Sequence, residues 1–149
     1  MPIGLGKPTP QKVRLNLKFD PVPENAARLA DVAVQAARNV DHVDLDYSVA
    51  SLDIVDGIME NLRKEGLKVE QIIETLFSFG VYVGEVLVRN AGGAWVATAG
   101  SPMESFASAP MVVHLGGEHF SNPIDKAVKR FRNGPEDSLA YFYQVTTAH

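Results

Sequence analysis

Residues 69–90, VEQIIETLFSFGVYVGEVLVRN, constrain the fold more than any other stretch of this chain. Ile72, Ile73, Leu76, Phe77, Gly80, Val83, Gly84, Leu87 and Val88 make one wide apolar face, to which Leu67 and Val81 add. A helix apolar over so much of its circumference must be covered on more than one side. The spacing therefore predicts a central helix over about 69–90, stopped by Gly92-Gly93, with the other elements packed around it. One carboxylate, Glu85, interrupts the apolar run.

The flanking segments supply the cover. In 12–19, Val13, Leu15, Leu17 and Phe19 alternate with Lys12, Arg14, Asn16 and Lys18, the period of a half-buried strand with a basic outer face. Residues 1–11 have no periodicity and read as a flexible arm, leaving 12–149 as a single domain. In the alanine-rich segment that follows, Ala26, Leu29, Ala30, Ala33, Ala37 and Val40 fall on one helical stripe. Ser48 suits an N-cap for a helix carrying Leu52, Val55, Met59 and Leu62, which Gly66 stops. Short strands are expected near 94–98 and 111–115. Asn122-Pro123 then opens a helix that Gly134 closes, and Pro135 opens a last one with Leu139, Phe142 and Tyr143 on its buried side. The expected class is α+β: about five helices around the central one and a small antiparallel sheet with strands near 12–19, 94–98 and 111–115.

Composition excludes several chemistries. With no cysteine, the chain has no disulfide, thiolate zinc site, iron–sulfur cluster or cysteine nucleophile. No uncharged stretch approaches the roughly 20 residues of a membrane span, and the first residues lack a signal peptide's apolar core, so a cytoplasmic location is expected. The net charge of −4 is uneven: +3 over residues 1–20 and −5 over 21–66. An acidic chain with one short basic strand is a poor nucleic-acid binder, because phosphates need a concentrated basic surface.

Catalytic and metal signatures are missing. There is no nucleophile elbow, phosphate loop or dinucleotide fingerprint. His42, His114, His119 and His149 lack metalloprotease spacing. Asp41, Asp44 and Asp46 do not build a calcium loop: counted from Asp41, the sixth and twelfth positions hold Asp46 and Leu52 where glycine and glutamate are needed. No metal or cofactor is expected.

Glu85 has two readings. On a helix it lies three residues after Tyr82 and four before Arg89, the favourable order for an ion pair. The plainer reading is a structural glutamate paired with Arg89, with Gly80 and Gly84 admitting a close neighbour. The sharper one gathers Glu85, Tyr82, Trp95 and His114 around a pocket. Trp95, the only tryptophan, is expected in the core with its indole N–H satisfied. Lys126, Lys129, Arg130 and Arg132 read as a solvated helix face, with an anionic partner as the alternative.

Three blocks, LDYSVASLDIVDGI (45–58), GVYVGEVLVRNAGGAWV (80–96) and NPIDKAVKRFRNGPEDSLAYFY (122–143), together resemble a family of small bacterial proteins of unknown function. Its members carry, in that order, a Leu-Asp-Tyr-Ser stretch, a Gly-x-Tyr-x-Gly-Glu-Val helix running to Gly-Gly-x-Trp, and a closing Asn-Pro/Lys-Arg helix pair. The resemblance spans about 40–145 and is most specific in the middle block, where Tyr82, Gly84, Glu85, Gly92, Gly93 and Trp95 match. It implies a shared fold and a bacterial source, and brings no reaction or ligand with it.

The leading functional expectation is a non-enzymatic domain that binds a protein or peptide partner, of accessory or toxin-neutralising type. It rests on the acidic stretch 41–60, the missing catalytic sets and a long connection over 99–110. Tyr82, Glu85, Arg89, Trp95 and His114 are the candidate binding residues. The alternative is a small-molecule site or enzyme centred on Glu85, Tyr82, Trp95 and His114. A homodimer paired through the edge strand 12–19 is a third expectation.

Overall fold

The computed structural model describes residues 16–148. The chain forms five helices, α1 (Ala26–Ala36), α2 (Ser51–Lys64), α3 (Ile73–Ala91), α4 (Pro123–Asn133) and α5 (Leu139–Thr147), and a small antiparallel sheet that packs on α3 and α4. Its strands β1 (Ala94–Ala97), β2 (Met111–His114) and β3 (Phe120–Ser121) lie in sequence order. The fold class is α+β, as the sequence predicts.

The central helix is α3. Every residue from Leu76 to Leu87 is buried, so it is covered all round, with α1 and α4 as its main neighbours. Small residues set how close they come. An added Cβ on Gly80 would lie 2.6 Å from the Ile124 backbone of α4. On the α1 side, Ala26, Ala30, Ala33 and Ala37 are buried at 2% exposure or less, so backbone meets apolar side chains closely. Full burial of a large apolar side chain contributes about 1.5–3 kcal/mol, and Leu76, Phe79, Val81 and Leu87 all reach it.

Caps hold the ends. Ser48 Oγ accepts from the Ser51 amide at 3.1 Å as α2 begins. Asn122 Oδ1 accepts from the Asp125 amide with Pro123 in the first turn of α4, and Ser138 Oγ accepts from the Tyr141 amide at α5. Gly92, at φ +80°, supplies the left-handed residue that ends α3 and turns the chain into β1.

Four expectations change. Residues 16–19 are irregular, with a bend at 18–19, rather than a strand, and 12–15 lie outside the described residues with the arm at 1–11. The alternation there reflects Leu17 and Phe19 packing on the core from an irregular segment. The third strand is Phe120–Ser121, and a dimer through 12–19 has no described strand to build on. The central α-helix starts at Ile73, after a separate 3₁₀ turn over Val69–Gln71. Val40 leaves its stripe and is 74% exposed, because α1 runs into a π-helical turn, Ala37–Asp41, whose wider spiral rotates it off the buried face.

Candidate functional site

Glu85 lies in the fully covered part of α3, and its side chain is only 7% exposed. Arg89 Nε donates to Oε1 at 3.0 Å, one helical turn on. Trp95 Nε1 donates to Oε2, also at 3.0 Å. The tryptophan reaches it because β1 folds back along α3 and the indole lies over Gly84, where an added Cβ would come within 2.1 Å of Cζ2. Gly84 therefore opens the slot and Glu85 fixes the ring within it. Each oxygen of the carboxylate accepts one protein donor.

Arg89 links this pair to a second group. Its guanidinium carbon sits 3.7 Å from the centroid of the Tyr47 ring, which stacks on Tyr82 at 4.7 Å. Tyr47 has φ +65°, a conformation costing a non-glycine residue about 1–3 kcal/mol that its surroundings must impose. Here α3 imposes it: the Tyr47 N–H donates to the Tyr82 hydroxyl at 2.8 Å, and Asn90 Nδ2 donates to the Tyr47 carbonyl at 2.9 Å. Ser51 Oγ gives its one proton to the Ser48 carbonyl at 2.6 Å, so at 2.7 Å it accepts from Tyr82. A directed chain runs from the Tyr47 amide through Tyr82 and Ser51 to Ser48. Burial pushes the Tyr47 phenol up to about 12 despite Arg89, and it raises Tyr82 too. Nearby, the Ser48 hydroxyl and then its amide hold the Asp46 carboxyl low.

Of the expected site residues, Tyr82, Glu85, Arg89 and Trp95 thus belong to one linked group, and His114 does not. Strand parity explains this. Trp95 pairs with Val113 and Ala94 with His114, so the His114 side chain leaves the sheet on the face opposite Trp95. Its Nε2 lies 2.8 Å from the Gly117 carbonyl and its ring stacks on Phe120 at 4.4 Å. The pocket imagined around Glu85, Tyr82, Trp95 and His114 therefore lacks one wall.

A second polar group appears where a solvated face was expected. Arg130 is 4% exposed. Its Nε donates to Asp56 Oδ1 at 3.0 Å, one terminal nitrogen to Glu60 Oε1 at 2.8 Å, and the other to the Asp56 carbonyl at 3.0 Å. Asp56 also accepts from the Leu139 and Ala140 amides at 2.7 and 3.1 Å, and from Ser138 Oγ at 3.0 Å. One carboxylate thereby neutralises a buried arginine and caps α5, favoured by the positive end of the helix dipole. The hydrogen bond from Arg130 draws the Glu60 carboxyl below its usual range. A sequence signal existed: Arg130 falls on the stripe of Pro123, Ala127 and Phe131, the buried side of α4. Lys126 is half-buried and pairs with Asp137 at 2.7 Å, which lowers the Asp137 carboxyl.

Among the described residues, a cleft of about 840 Å³ opens between the segment 17–21, the start of α3, α4 and the base of the 98–110 connection. Phe77 and Ile124 form its floor, with Val69, Ile73 and Val128 on the walls. Thr98 and Ser108 fix the connection. The Thr98 amide and hydroxyl donate to the Pro110 and Ala109 carbonyls, and the Ser108 amide and hydroxyl each donate to Asp125 at 2.9 Å. This loop is tied down at its base and presents Phe106, 78% exposed. A second hollow of about 360 Å³ shares Val69 and Arg132 with the cleft and is lined also by Arg63, Lys68 and Glu70.

Among the described residues no group of three histidine or acidic side chains is placed to hold a metal ion, and no helix is long and apolar enough to cross a membrane. Comparison of the chain with family models, with curated proteins and with solved structures finds no significant match.

Proposed function

We propose that this chain is a non-enzymatic binding protein that holds a peptide segment of a protein partner in the 840 Å³ cleft. The observation that carries the proposal is the division of labour between two regions. The Glu85 carboxylate is enclosed and spent on Arg89 and Trp95. The cleft is open and apolar, and polar groups stand at its margin, the character of a recognition site. An exposed Phe106 on the same connection that walls the cleft favours an extended partner over a compact small molecule, since aromatic anchors concentrate binding energy at protein interfaces. A bacterial, cytoplasmic setting belongs to the same reading, supported by the resemblance of the three sequence blocks and the cysteine-free composition.

Panning a random peptide library on the immobilised full chain tests this. The reading expects enriched peptides that bind the wild type and lose binding to Val128→Glu, which sets a charge on the cleft wall, with urea unfolding showing that the variant still folds. No enrichment, or peptides indifferent to the folded variant, would overturn it.

A further inference from the structure

The cleft's charge is opposite to the chain's. The two hollows, which share Val69 and Arg132 in their linings, carry Arg63, Lys68, Lys129 and Arg132 against Asp125 and Glu70, four bases to two acids, in a chain of net charge −4. The acid on the cleft wall is occupied. Asp125 Oδ1 holds the Ser108 hydroxyl, and Oδ2 holds the Ser108 amide and Asn122 Nδ2 at 2.7 Å. By contrast Lys68, Lys129 and Arg132 form no ion pair among the described residues. Val128, Lys129 and Arg132 follow one another along a single face of α4, so apolar wall and cationic edge run side by side. Arg132 lines both the apolar cleft and the basic hollow.

We propose that the bound segment is an acidic amphipathic peptide. Its apolar side chains enter the cleft over Phe77 and Ile124, and its carboxylates lie against Lys129, Arg132 and Lys68. Complementary charge of this kind fixes register and speeds encounter more than it adds affinity, while the apolar cleft supplies the holding energy. The inference rests on the binding reading above and adds the chemistry of the ligand.

The probes are the peptides enriched by panning, measured by fluorescence anisotropy on the full chain. The enriched set is expected to carry an excess of Asp and Glu beside its apolar residues. Affinity should fall about tenfold or more in the double variant Lys129→Glu, Arg132→Glu, and should weaken as salt rises. Panning on that variant should enrich basic peptides instead. Enriched peptides without acidic excess, unaffected by the double variant yet abolished by Val128→Glu, would overturn the acidic ligand and leave the cleft standing. Peptides insensitive to Val128→Glu would remove the cleft itself. Circular dichroism of each variant shows whether a loss of binding is a loss of fold.

Discussion

Gly84→Ala tests the packing of α3 through a change of one methyl group. In an exposed helix, alanine in place of glycine stabilises by about 1 kcal/mol. Here the new Cβ would lie 2.1 Å from Trp95 Cζ2, 2.4 Å from Cη2 and 3.1 Å from Pro123 Cγ. Carbon atoms settle at about 3.5–4.0 Å, so the indole must retreat by more than ~1 Å. That movement breaks the 3.0 Å bond from Trp95 Nε1 to Glu85. A hydrogen bond to a charged group contributes about 1.5–3 kcal/mol, and overpacking costs about 1–3 kcal/mol more. Less the propensity gain, the net destabilisation is about 2–5 kcal/mol. Urea unfolding followed by tryptophan fluorescence is the assay, since Trp95 is the sole tryptophan and sits at the perturbation. Gly57→Ala is the internal control. Gly57 lies within α2 with nothing within 4 Å of an added Cβ, so that variant should gain about 0.5–1 kcal/mol. If Gly84→Ala stabilised as Gly57→Ala does, the indole would not rest on Gly84 and the structural role given to Glu85 would lose its basis.

Glu85→Leu leaves the Trp95 N–H without its acceptor, while Arg89, with a side chain 43% exposed, turns to water; a loss of about 1–3 kcal/mol in urea is expected, with peptide binding unchanged. Asp56→Ala takes the carboxylate from Arg130, leaving it Glu60 and the main-chain carbonyl of residue 56, and strips the Leu139 and Ala140 amides of their acceptor. Breaking such a buried pair costs about 3–5 kcal/mol, and hydrogen exchange should show the Leu139 and Ala140 amides losing protection first. Tyr47 has a folded pKa of about 12, above the ordinary 10, because burial favours the neutral phenol. Its contribution to stability is therefore complete below pH 10 and lost as the pH rises through about 12. A phenolate absorbance titration should show a late component near 12 that Tyr47→Phe removes, and its absence in the wild type would contradict the buried, stacked placement.

What could be read from the sequence was local. Helix α3 announced itself through apolar residues on every side, α4 through Asn122-Pro123, and the Glu85–Arg89 pair through its spacing of four. What escaped depends on chain folding back. Trp95 meets Glu85 only because β1 reverses along α3, and His114 was assigned to the wrong group because strand pairing, invisible in the sequence, decides which sheet face a residue takes. Arg130 and Asp56 are 74 residues apart, and basic neighbours on α4 disguised the buried arginine as a solvated one. Over 16–19, the described part of the expected strand, the alternation misled for a different reason: two apolar anchors, Leu17 and Phe19, need no strand to reach the core. The cleft draws on four separate regions of the chain, so no single segment carried its signature.

The most direct test is an NMR titration of methyl-labelled full chain with a panned peptide, watching the cleft methyls of Ile73, Ile124 and Val128 alongside the Trp95 indole N–H. The account expects the methyl signals to move in proportion to occupancy while the indole signal, locked to Glu85, stays in place. Shifts centred on Trp95, Arg89 and Tyr47, with the cleft methyls silent, would contradict it and return the Glu85 group to function.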